Sequence, residues 1–265
     1  MSTHFSGRDV VGVRINRVKQ ILKQGGTIYG SATRLPEPGL VEILGYAGFD
    51  FVLIDAEHGA MGWAEMERMI LAGLATDAAP FVRVVKNEPE LVMRTLDLGA
   101  MGVMIPHCRT AEDARRFVNG AYYAPRGARG IGPGRGTRWG AVPSDEYFRT
   151  IDDQVALLAM VEDPEVVDHI DEIVEVPGID VLWVGTGDLA AAYGVAGQTS
   201  HPKVVEASER ILAAGKRKGV AVGFPARSVE DAKAAAAKGY RAIGFGGAES
   251  YVMQYARQYL DAVKK

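Results

Sequence analysis

The chain has 265 residues, of which 48% are hydrophobic and 24% charged, and its formal net charge is -3. These values are typical of globular proteins and give no reason to expect nucleic acid or an acidic membrane surface as a partner. Residues 1–9 lack an apolar signal core and no apolar run could span a bilayer, so we expect a soluble cytoplasmic protein. Cys108 is the single cysteine, which excludes an internal disulfide and agrees with that location.

Apolar runs of strand length alternate with helical patterns along the chain. The predicted strands are residues 27–32, 50–55, 80–85, 102–106, 155–161, 181–185, 220–224 and 242–245. The helices predicted after them are residues 39–47, 63–75, 89–98, 111–120, 164–174, 203–218, 229–238 and 251–263. Eight such units predict an α/β fold, a single (β/α)8 TIM barrel forming one domain over residues 1–265, because a doubly wound sheet normally has fewer strands. Residues 8–25 predict an extra N-terminal helix that closes the amino-terminal end of the barrel.

A glycine stands between helix and strand in four of these units. The four are Gly48, Gly99, Gly178 and Gly239. Each follows a helical pattern, where glycine adopts a left-handed cap at little cost. The repetition favours an all-parallel sheet.

Ionisable side chains follow the predicted strands. The second strand ends in Asp55, Glu57 and His58. The other strand ends carry Arg83, His107, Glu162, Asp163, Asp188 and Arg227. Because the carboxyl ends of barrel strands form the active-site face, we expect these groups to meet at one mouth. Several carboxylates without a cysteine suit a hard divalent ion such as Mg²⁺ or Mn²⁺.

Structural roles compete with functional ones at some of these positions. Asp163 precedes Pro164 and is expected to cap the next helix. Arg83 interrupts a buried strand and needs a partner there, which favours a functional role. Met160 and Trp183 are expected to fill the core. A histidine at a strand end is as easily a hydrogen-bonded structural residue as a base.

Six short motifs spread along the chain have a distinctive combination of residues. They are Asp55-Ala56-Glu57-His58-Gly59, Val82-Arg83-Val84, Leu98-Gly99-Ala100, Tyr123-Ala124-Pro125-Arg126-Gly127-Ala128-Arg129-Gly130, Val161-Glu162 and Gly185-Thr186-Gly187-Asp188-Leu189. Through them the chain resembles the HpcH/HpaI aldolases, metal-dependent pyruvate aldolases on a TIM barrel, from about residue 30 to residue 255.

The resemblance implies a metal site and a place for pyruvate. Glu162 and Asp188 would hold the divalent ion, Mg²⁺ or Mn²⁺, with Co²⁺ a further candidate. Arg83 would lie against the pyruvate oxygens, and the backbone amides around Gly187 and Asp188 would receive the pyruvate carboxylate. The resemblance also implies a homo-oligomer, a hexamer in the family pattern.

The resemblance also implies an acid/base pair, and at two positions the chain differs from many members of the family. His58 with Asp55 would form the acid/base pair. Met160 and Thr186 replace a glutamine and a proline that many members carry, so the hydrogen bonds beside the metal are expected to differ. His107 resembles a histidine in the related macrophomate synthase, which decarboxylates oxaloacetate, and we expect it to contact substrate.

The chemical requirements of carbon–carbon bond cleavage narrow the range of possible functions. Cleaving a carbon–carbon bond beside a 2-oxo acid leaves an enolate, which a divalent ion and Arg83 would stabilise. A Schiff base would need a lysine inside the barrel, but Lys86, the only one near a strand end, is expected to point outward. The leading hypothesis is reversible cleavage of 4-hydroxy-2-oxo acids to pyruvate and an aldehyde. The alternatives are an oxaloacetate decarboxylase or macrophomate-synthase-like enzyme, and a non-catalytic barrel that binds 2-oxo acids.

The loop at residues 126–139 contains four arginines and five glycines. Glycines allow a close backbone approach to a ligand or a neighbouring subunit, and arginine suits planar carboxylates. We therefore predict that this loop helps to select the aldehyde, with Arg129 as the main contributor.

Overall fold

Eight parallel strands close into a barrel in the residues that the computed structural model describes, which are 12–132 and 134–264. The strands are β1 (Ile28–Thr33), β2 (Phe51–Asp55), β3 (Ala79–Arg83), β4 (Gly102–Ile105), β5 (Ala156–Val161), β6 (Val181–Val184), β7 (Ala221–Ala226) and β8 (Ala242–Gly247). Each strand pairs with its neighbours in sequence, and β8 pairs with β1. The predicted TIM barrel is confirmed. That residues 1–265 form one domain stays a prediction.

Helices alternate with the strands. They are α1 (Arg17–Lys23), α2 (Pro38–Tyr46), α3 (Trp63–Leu74), α4 (Pro89–Asp97), α5 (Ala111–Ala121), α6 (Ser144–Thr150), α7 (Pro164–Asp168), α8 (Ile170–Val174), α9 (Thr186–Ala192), α10 (Pro202–Lys218), α11 (Val229–Lys238) and α12 (Ala248–Lys264). The predicted helix at 164–174 is divided at His169, and the sequence analysis missed α6 and α9, because seven residues are too few to show a helical period. No helix within residues 12–132 and 134–264 is long and apolar enough to cross a membrane.

The last two strands extend further than the sequence indicates. β7 continues through Pro225 to Ala226, which pair with Gly244 and Phe245 of β8. The sequence analysis predicts ends at residues 224 and 245, and the residues that follow include proline and glycine, which are unfavourable in an isolated strand. The closed barrel gives each strand a partner on both sides, and this tertiary pairing outweighs the local preference.

The four glycines between helices and strands have the predicted conformation. Their φ angles are 97° at Gly48, 101° at Gly99, 108° at Gly178 and 104° at Gly239. These values lie in the left-handed region, where a side chain would be strained. The prediction from the repeated motif is confirmed.

Aromatic side chains fill the interior of the barrel. The rings of Phe51 and Phe81 stack with centroids 5.1 Å apart, and Trp183 meets Phe51 edge-on at 6.3 Å. A Cβ on Gly30 would lie 2.2 Å from the Phe51 ring, and one on Gly223 would lie 2.3 Å from the Trp183 ring. Trp183 lies in this buried cluster, which confirms its predicted core role.

The helix α1 closes the opposite end of the barrel. Val18 is fully buried among the side chains of the barrel interior. Lys19 Nζ donates to the Val155 carbonyl at 2.7 Å and to Asp180 Oδ2 at 3.1 Å. The predicted closing helix is therefore found over Arg17–Lys23, while residues 8–11 of the predicted span lie outside the described residues.

The last helix, α12, is buried only at its first residue, Ala248. Every residue from 252 to 264 is exposed. The large apolar side chains that it exposes are Val252, Met253, Tyr255, Tyr259, Leu260 and Val263. An exposed apolar helix of this length is unusual for a protein without a partner.

Candidate active site

A cavity of about 380 Å³ opens at the carboxyl ends of the strands. Its ionisable lining residues are Arg34, Asp55, Arg83, Asp188 and Arg227. They follow or end β1, β2, β3, β6 and β7, so the barrel brings together groups that are far apart in sequence. The predicted convergence of strand-end residues on one mouth is found for this set.

Arg83 and Asp55 form a two-point ion pair on the wall of the cavity. They end β3 and β2 and are direct partners in the strand register. Arg83 Nε donates to Asp55 Oδ1 at 2.9 Å, and a terminal guanidinium nitrogen donates to Oδ2 at 2.6 Å. Burial favours a higher pKa for Asp55, but the hydrogen bonds and charge of Arg83 outweigh it and hold that pKa below its usual value. Asp55 thus stays ionised and fixes the orientation of the guanidinium.

Glu57 is a site residue to which the sequence analysis gave no role. Its Oε2 lies 3.1 Å from Nη1 of Arg83, so this arginine is held by two carboxylates. The sequence does contain a signal for this role of Glu57, which is the number of hydrogen-bond donors on Arg83. A guanidinium has five N–H groups, more than Asp55 alone can accept, and a second acid follows Asp55 in the same motif.

His58 lies at the edge of the mouth with 58% of its side chain exposed. Its backbone N–H donates to Asp55 Oδ1 at 3.3 Å, whereas its ring Nε2 lies 3.7 Å from Glu57 Oε2. The sequence analysis expected the imidazole to pair with Asp55. In the structure the backbone makes that contact, and the ring stays accessible to a bound substrate.

Glu162 directly follows β5 as a buried carboxylate with 2% of its side chain exposed. Oε1 accepts the backbone N–H of His107 at 2.7 Å. A Cβ on Gly185 would lie 2.4 Å from Glu162 Cβ, so only glycine leaves room for the acid at this point. Burial raises the pKa of Glu162 to about 7, opposed by His107 and reinforced by the negative charges of Asp188 and Glu57.

His107 has a left-handed backbone with φ of 48°, an uncommon conformation outside glycine. This conformation points its N–H at Glu162, and its ring Nδ1 lies 3.2 Å from Asp163 Oδ2. Asp163 also accepts from Arg109 at 3.0 Å. Asp163 therefore makes no cap with its side chain, contrary to the sequence prediction, because His107 and Arg109 occupy its carboxylate.

Glu162 and Asp188 fit a divalent cation. They follow the neighbouring strands β5 and β6, and the negative charge of Asp188 adds to the effect of burial in raising the pKa of Glu162. Within residues 12–132 and 134–264 no group of three or more His, Cys, Asp or Glu residues is arranged to hold a metal ion. Two carboxylates that leave the other positions to water and substrate oxygens are usual for Mg²⁺. Cys108 does not compete, since burial raises the pKa of its thiol to about 12.

Gly187 and Asp188 lie in the first turn of α9, beside the cavity. Backbone N–H groups in a first helical turn have no partner inside the helix. A Cβ on Gly187 would meet no atom within 4 Å, so the backbone faces open space there. The position is compatible with the carboxylate-binding role that the sequence resemblance implies.

Two other predictions about charged residues have clear outcomes. Lys86 is 72% exposed and pairs with Glu88 at 2.8 Å, as expected for a lysine that points outward. Arg129 lies away from the mouth, beside Met101 and Val155 near the amino-terminal ends of β4 and β5. Only 1% of its side chain is exposed, and it donates to Asp97 at 2.6 Å. The structure does not bring Arg129 to the site, and its buried guanidinium has no free surface for an aldehyde.

Comparisons with known proteins identify the family of the chain. The family model HpcH/HpaI aldolase/citrate lyase matches residues 33–253. The chain belongs to this family. It is 36% identical over 233 residues to a hydroxypyruvate/pyruvate aldolase of Delftia acidovorans, which covers 87% of this chain and 86% of the relative.

Two solved structures extend the likeness to three dimensions. A HpcH/HpaI aldolase/citrate lyase family protein from Burkholderia cenocepacia superposes with a TM-score of 0.89 at 35% identity, covering 94% of this chain and all of the other. Macrophomate synthase superposes with a TM-score of 0.80 at 30% identity, covering 93% and 90%. The resemblance stated from the sequence motifs is therefore confirmed.

Proposed function

We propose that the protein is a class II pyruvate aldolase that reversibly cleaves 4-hydroxy-2-oxo acids to pyruvate and an aldehyde. The observation that carries the proposal is the presence of two kinds of charged group at the carboxyl ends of the strands. Arg83, fixed by Asp55, contributes an oriented positive charge, and Glu162 with Asp188 forms a carboxylate pair suited to a divalent ion. The family membership and the names of the aligned aldolases support the same activity.

Glu162 and Asp188 would hold the ion, Mg²⁺ or Mn²⁺ with Co²⁺ as a further candidate. When bound, such an ion acts as a Lewis acid that polarises the substrate carbonyl and stabilises the negative charge that develops as the carbon–carbon bond breaks. The small, hard oxygen ligands favour these metals over softer ones. The amides of Gly187 and Asp188 would receive the carboxylate of the 2-oxo acid.

Arg83 would stabilise the developing enolate charge. Two of its nitrogens, Nε and Nη2, donate to Asp55. The third, Nη1, lies near Glu57 Oε2 and is 3.5 Å from Met160 Sδ. A guanidinium already held in place needs no reorganisation as charge develops, which is the source of its effect. Met160, which replaces the family glutamine, offers a weak sulfur acceptor and leaves Arg83 available to the substrate.

His58 would move the protons. In cleavage, a base removes the proton of the 4-hydroxyl as the adjacent carbon–carbon bond breaks, and an acid then protonates the methylene carbon to give pyruvate. Imidazole suits both steps because its ordinary pKa is near neutrality. The exposed ring beside Glu57 can turn toward the mouth without breaking a buried hydrogen bond.

A specific observation supports oxaloacetate decarboxylation as a second candidate function. His107 combines a left-handed backbone with a hydrogen bond to Glu162, which places its ring at the proposed metal ligand. Macrophomate synthase is among the structural neighbours. The Asp55–Arg83 pair would stabilise the same enolate after loss of CO₂.

Two measurements test these proposals. Metal-dependent deuterium exchange into the methyl group of pyruvate separates both enzymes from a barrel that only binds 2-oxo acids. Product analysis then compares the cleavage of a panel of 4-hydroxy-2-oxo acids with the release of CO₂ from oxaloacetate. Absence of exchange with every divalent ion would overturn both enzymatic proposals, and faster turnover of oxaloacetate than of any aldol would favour the second.

A homo-oligomer, a hexamer by resemblance, is part of the proposal. The exposed apolar side chains of α12 support association, because burying them against another copy removes apolar surface from water. Equilibrium sedimentation of the full chain tests the state. The cytoplasmic location predicted from the sequence stays a prediction.

A further inference from the structure

One wall of the mouth has no role in the proposed aldol chemistry. The residues that would handle the metal, pyruvate and protons come from the ends of β2, β3, β5 and β6. The remaining wall is formed by β7, β8 and β1, which are neighbours in the barrel. β8 contributes Gly244 and Gly246 to the cavity lining. This side of the cavity is the one that the groups proposed for metal, pyruvate and proton transfer leave free for the aldehyde.

Arg227 follows β7 and lines this wall. A terminal guanidinium nitrogen donates to Thr199 Oγ1 at 2.8 Å, which orients the group. The nearby Asp231 carboxylate accepts the backbone N–H of Arg227 at 2.9 Å. Among residues 12–132 and 134–264, no carboxylate lies within ion-pair distance of the Arg227 guanidinium. The wall therefore carries an oriented positive charge that the described protein does not neutralise.

Arg34 follows β1 on the other side of β8 and lines the same cavity. Its backbone N–H donates to Glu249 Oε1 at 2.6 Å, so the start of its side chain is fixed. Its Nε lies 3.4 Å from Asp55 Oδ2, an oxygen that already accepts from Arg83 at 2.6 Å. The Arg34 side chain is 56% exposed, and its one ion pair with the described residues is this weak contact, so it can turn to a stronger acceptor.

We infer that Arg34 and Arg227 bind an anionic group, a carboxylate or a phosphate, on the aldehyde partner. The inference rests on the proposed aldolase function and names a substrate class for it. Guanidinium groups bind planar or tetrahedral anions through paired N–H donors. Of the three arginines that line the cavity, Arg83 is held by Asp55 and Glu57, which leaves Arg34 and Arg227 to receive a further anion. In this assignment Arg34 and Arg227 take the selective role that the sequence analysis gave to Arg129.

The test compares Arg34→Gln, Arg227→Gln and the double variant with the wild-type enzyme. The aldol addition of pyruvate is measured with succinic semialdehyde, with glycolaldehyde phosphate and with neutral propanal, all with saturating metal. The readout is the ratio of kcat/KM for each charged aldehyde to that for propanal. Arg115→Gln is the matched control, because Arg115 is an exposed arginine on the outside of the barrel that pairs with Glu112.

We expect the ratio for at least one charged aldehyde to fall by about 10- to 100-fold in the double variant, since hydrogen bonds to charged groups have effects of this size. The control should keep the wild-type ratio. The aldehyde that shows the larger loss identifies the anion as a carboxylate or a phosphate. Equal losses on charged and neutral aldehydes, or no loss on any, would overturn the inference.

The failure of this inference can be distinguished from the failure of the proposed function. If the wild-type enzyme exchanges the pyruvate methyl protons but shows the same kcat/KM for propanal as for the charged aldehydes, the aldolase proposal holds and the anionic substrate class is wrong. If it neither exchanges nor adds, the aldolase proposal itself is wrong. Circular dichroism and thermal unfolding of each variant confirm that the barrel is intact.

Discussion

Two buried ion pairs lie near opposite ends of this barrel, and they differ in what surrounds them. At the amino-terminal end, Lys19 pairs with Asp180, whose second hydrogen bond comes from the backbone N–H of Leu157 at 2.9 Å. At the carboxyl end, Asp55 pairs with Arg83. Lys19 donates a second hydrogen bond to the Val155 carbonyl, away from the mouth. Arg83, in contrast, lines an open cavity.

The comparison shows how to separate a structural charge from a functional one. Both pairs are expensive to bury and need their partners. The pair at the amino-terminal end is satisfied by the protein itself, so its role is to fasten α1 across the barrel. The pair at the mouth holds a donor group that still faces space for a ligand, which is the arrangement expected of a preorganised site.

The largest expected effect is at the mouth, in Glu162→Gln and Asp188→Asn. Each keeps the shape but removes a carboxylate from the proposed metal site, so turnover should fall by at least about 10³-fold. Isothermal titration with Mn²⁺ should show weaker binding, with thermal unfolding little changed. Glu165→Gln, at an exposed position on α7, is the matched control. Unchanged metal affinity in both variants would contradict the assignment.

Arg83→Met should lower pyruvate deuterium exchange and aldol cleavage together, by about 10²- to 10³-fold, because both reactions pass through the same enolate charge. Arg83→Lys keeps the charge but loses the two-point bond to Asp55, and it should recover only part of the activity. Both rates are followed by proton NMR. Loss of cleavage with normal exchange would place Arg83 at the aldehyde and not at pyruvate.

His58→Gln should reduce cleavage by about 10²-fold, the usual contribution of general acid–base catalysis, while the KM for pyruvate in the addition direction changes little. Steady-state kinetics in both directions provide the measurement. If metal binding disappears in this variant, His58 is a ligand and its proposed proton-transfer role is wrong.

Gly185→Ala tests how closely the mouth is packed. The new Cβ would lie 2.4 Å from Glu162 Cβ and 2.7 Å from Oε2, so the acid has to move. Since small displacements of a reacting group are costly, we expect an activity loss of about 10- to 100-fold. Gly39→Ala, where an added Cβ meets nothing within 4 Å, is the control. Equal kinetics for the two variants would show that Glu162 tolerates displacement.

Lys19→Met should have the smallest effect on catalysis and thereby sharpens the comparison of the two ends. It leaves Asp180 buried without its cation, so the free energy of unfolding should fall by about 3 kcal/mol, as urea denaturation would show. The kcat of the folded enzyme should stay close to that of the wild type. A large loss of kcat without a loss of stability would mean that the two ends are coupled.

The order of elements and most of the mouth could be predicted from local signals. The glycines at helix ends, the apolar strands and the acids after them are properties of short segments, and β/α alternation then dictates a closed barrel. For Glu57 the motif shows only that a second acid follows Asp55, and the position of Arg129 has no local signal. Which acid satisfies the spare donors of Arg83, and which end of the barrel receives Arg129, depend on residues distant in sequence.

The sequence by itself determined the barrel, the family and the identity of the charged groups at the strand ends, because each follows from periodicity and motif. Only the tertiary structure decided how those groups are used. It connects His58 to Asp55 through the backbone, turns His107 to donate to Glu162, and buries Arg129 against Asp97. The physical reason is that hydrogen bonds and burial depend on three-dimensional neighbours, so residues of one type acquire different roles at the two ends of the same barrel.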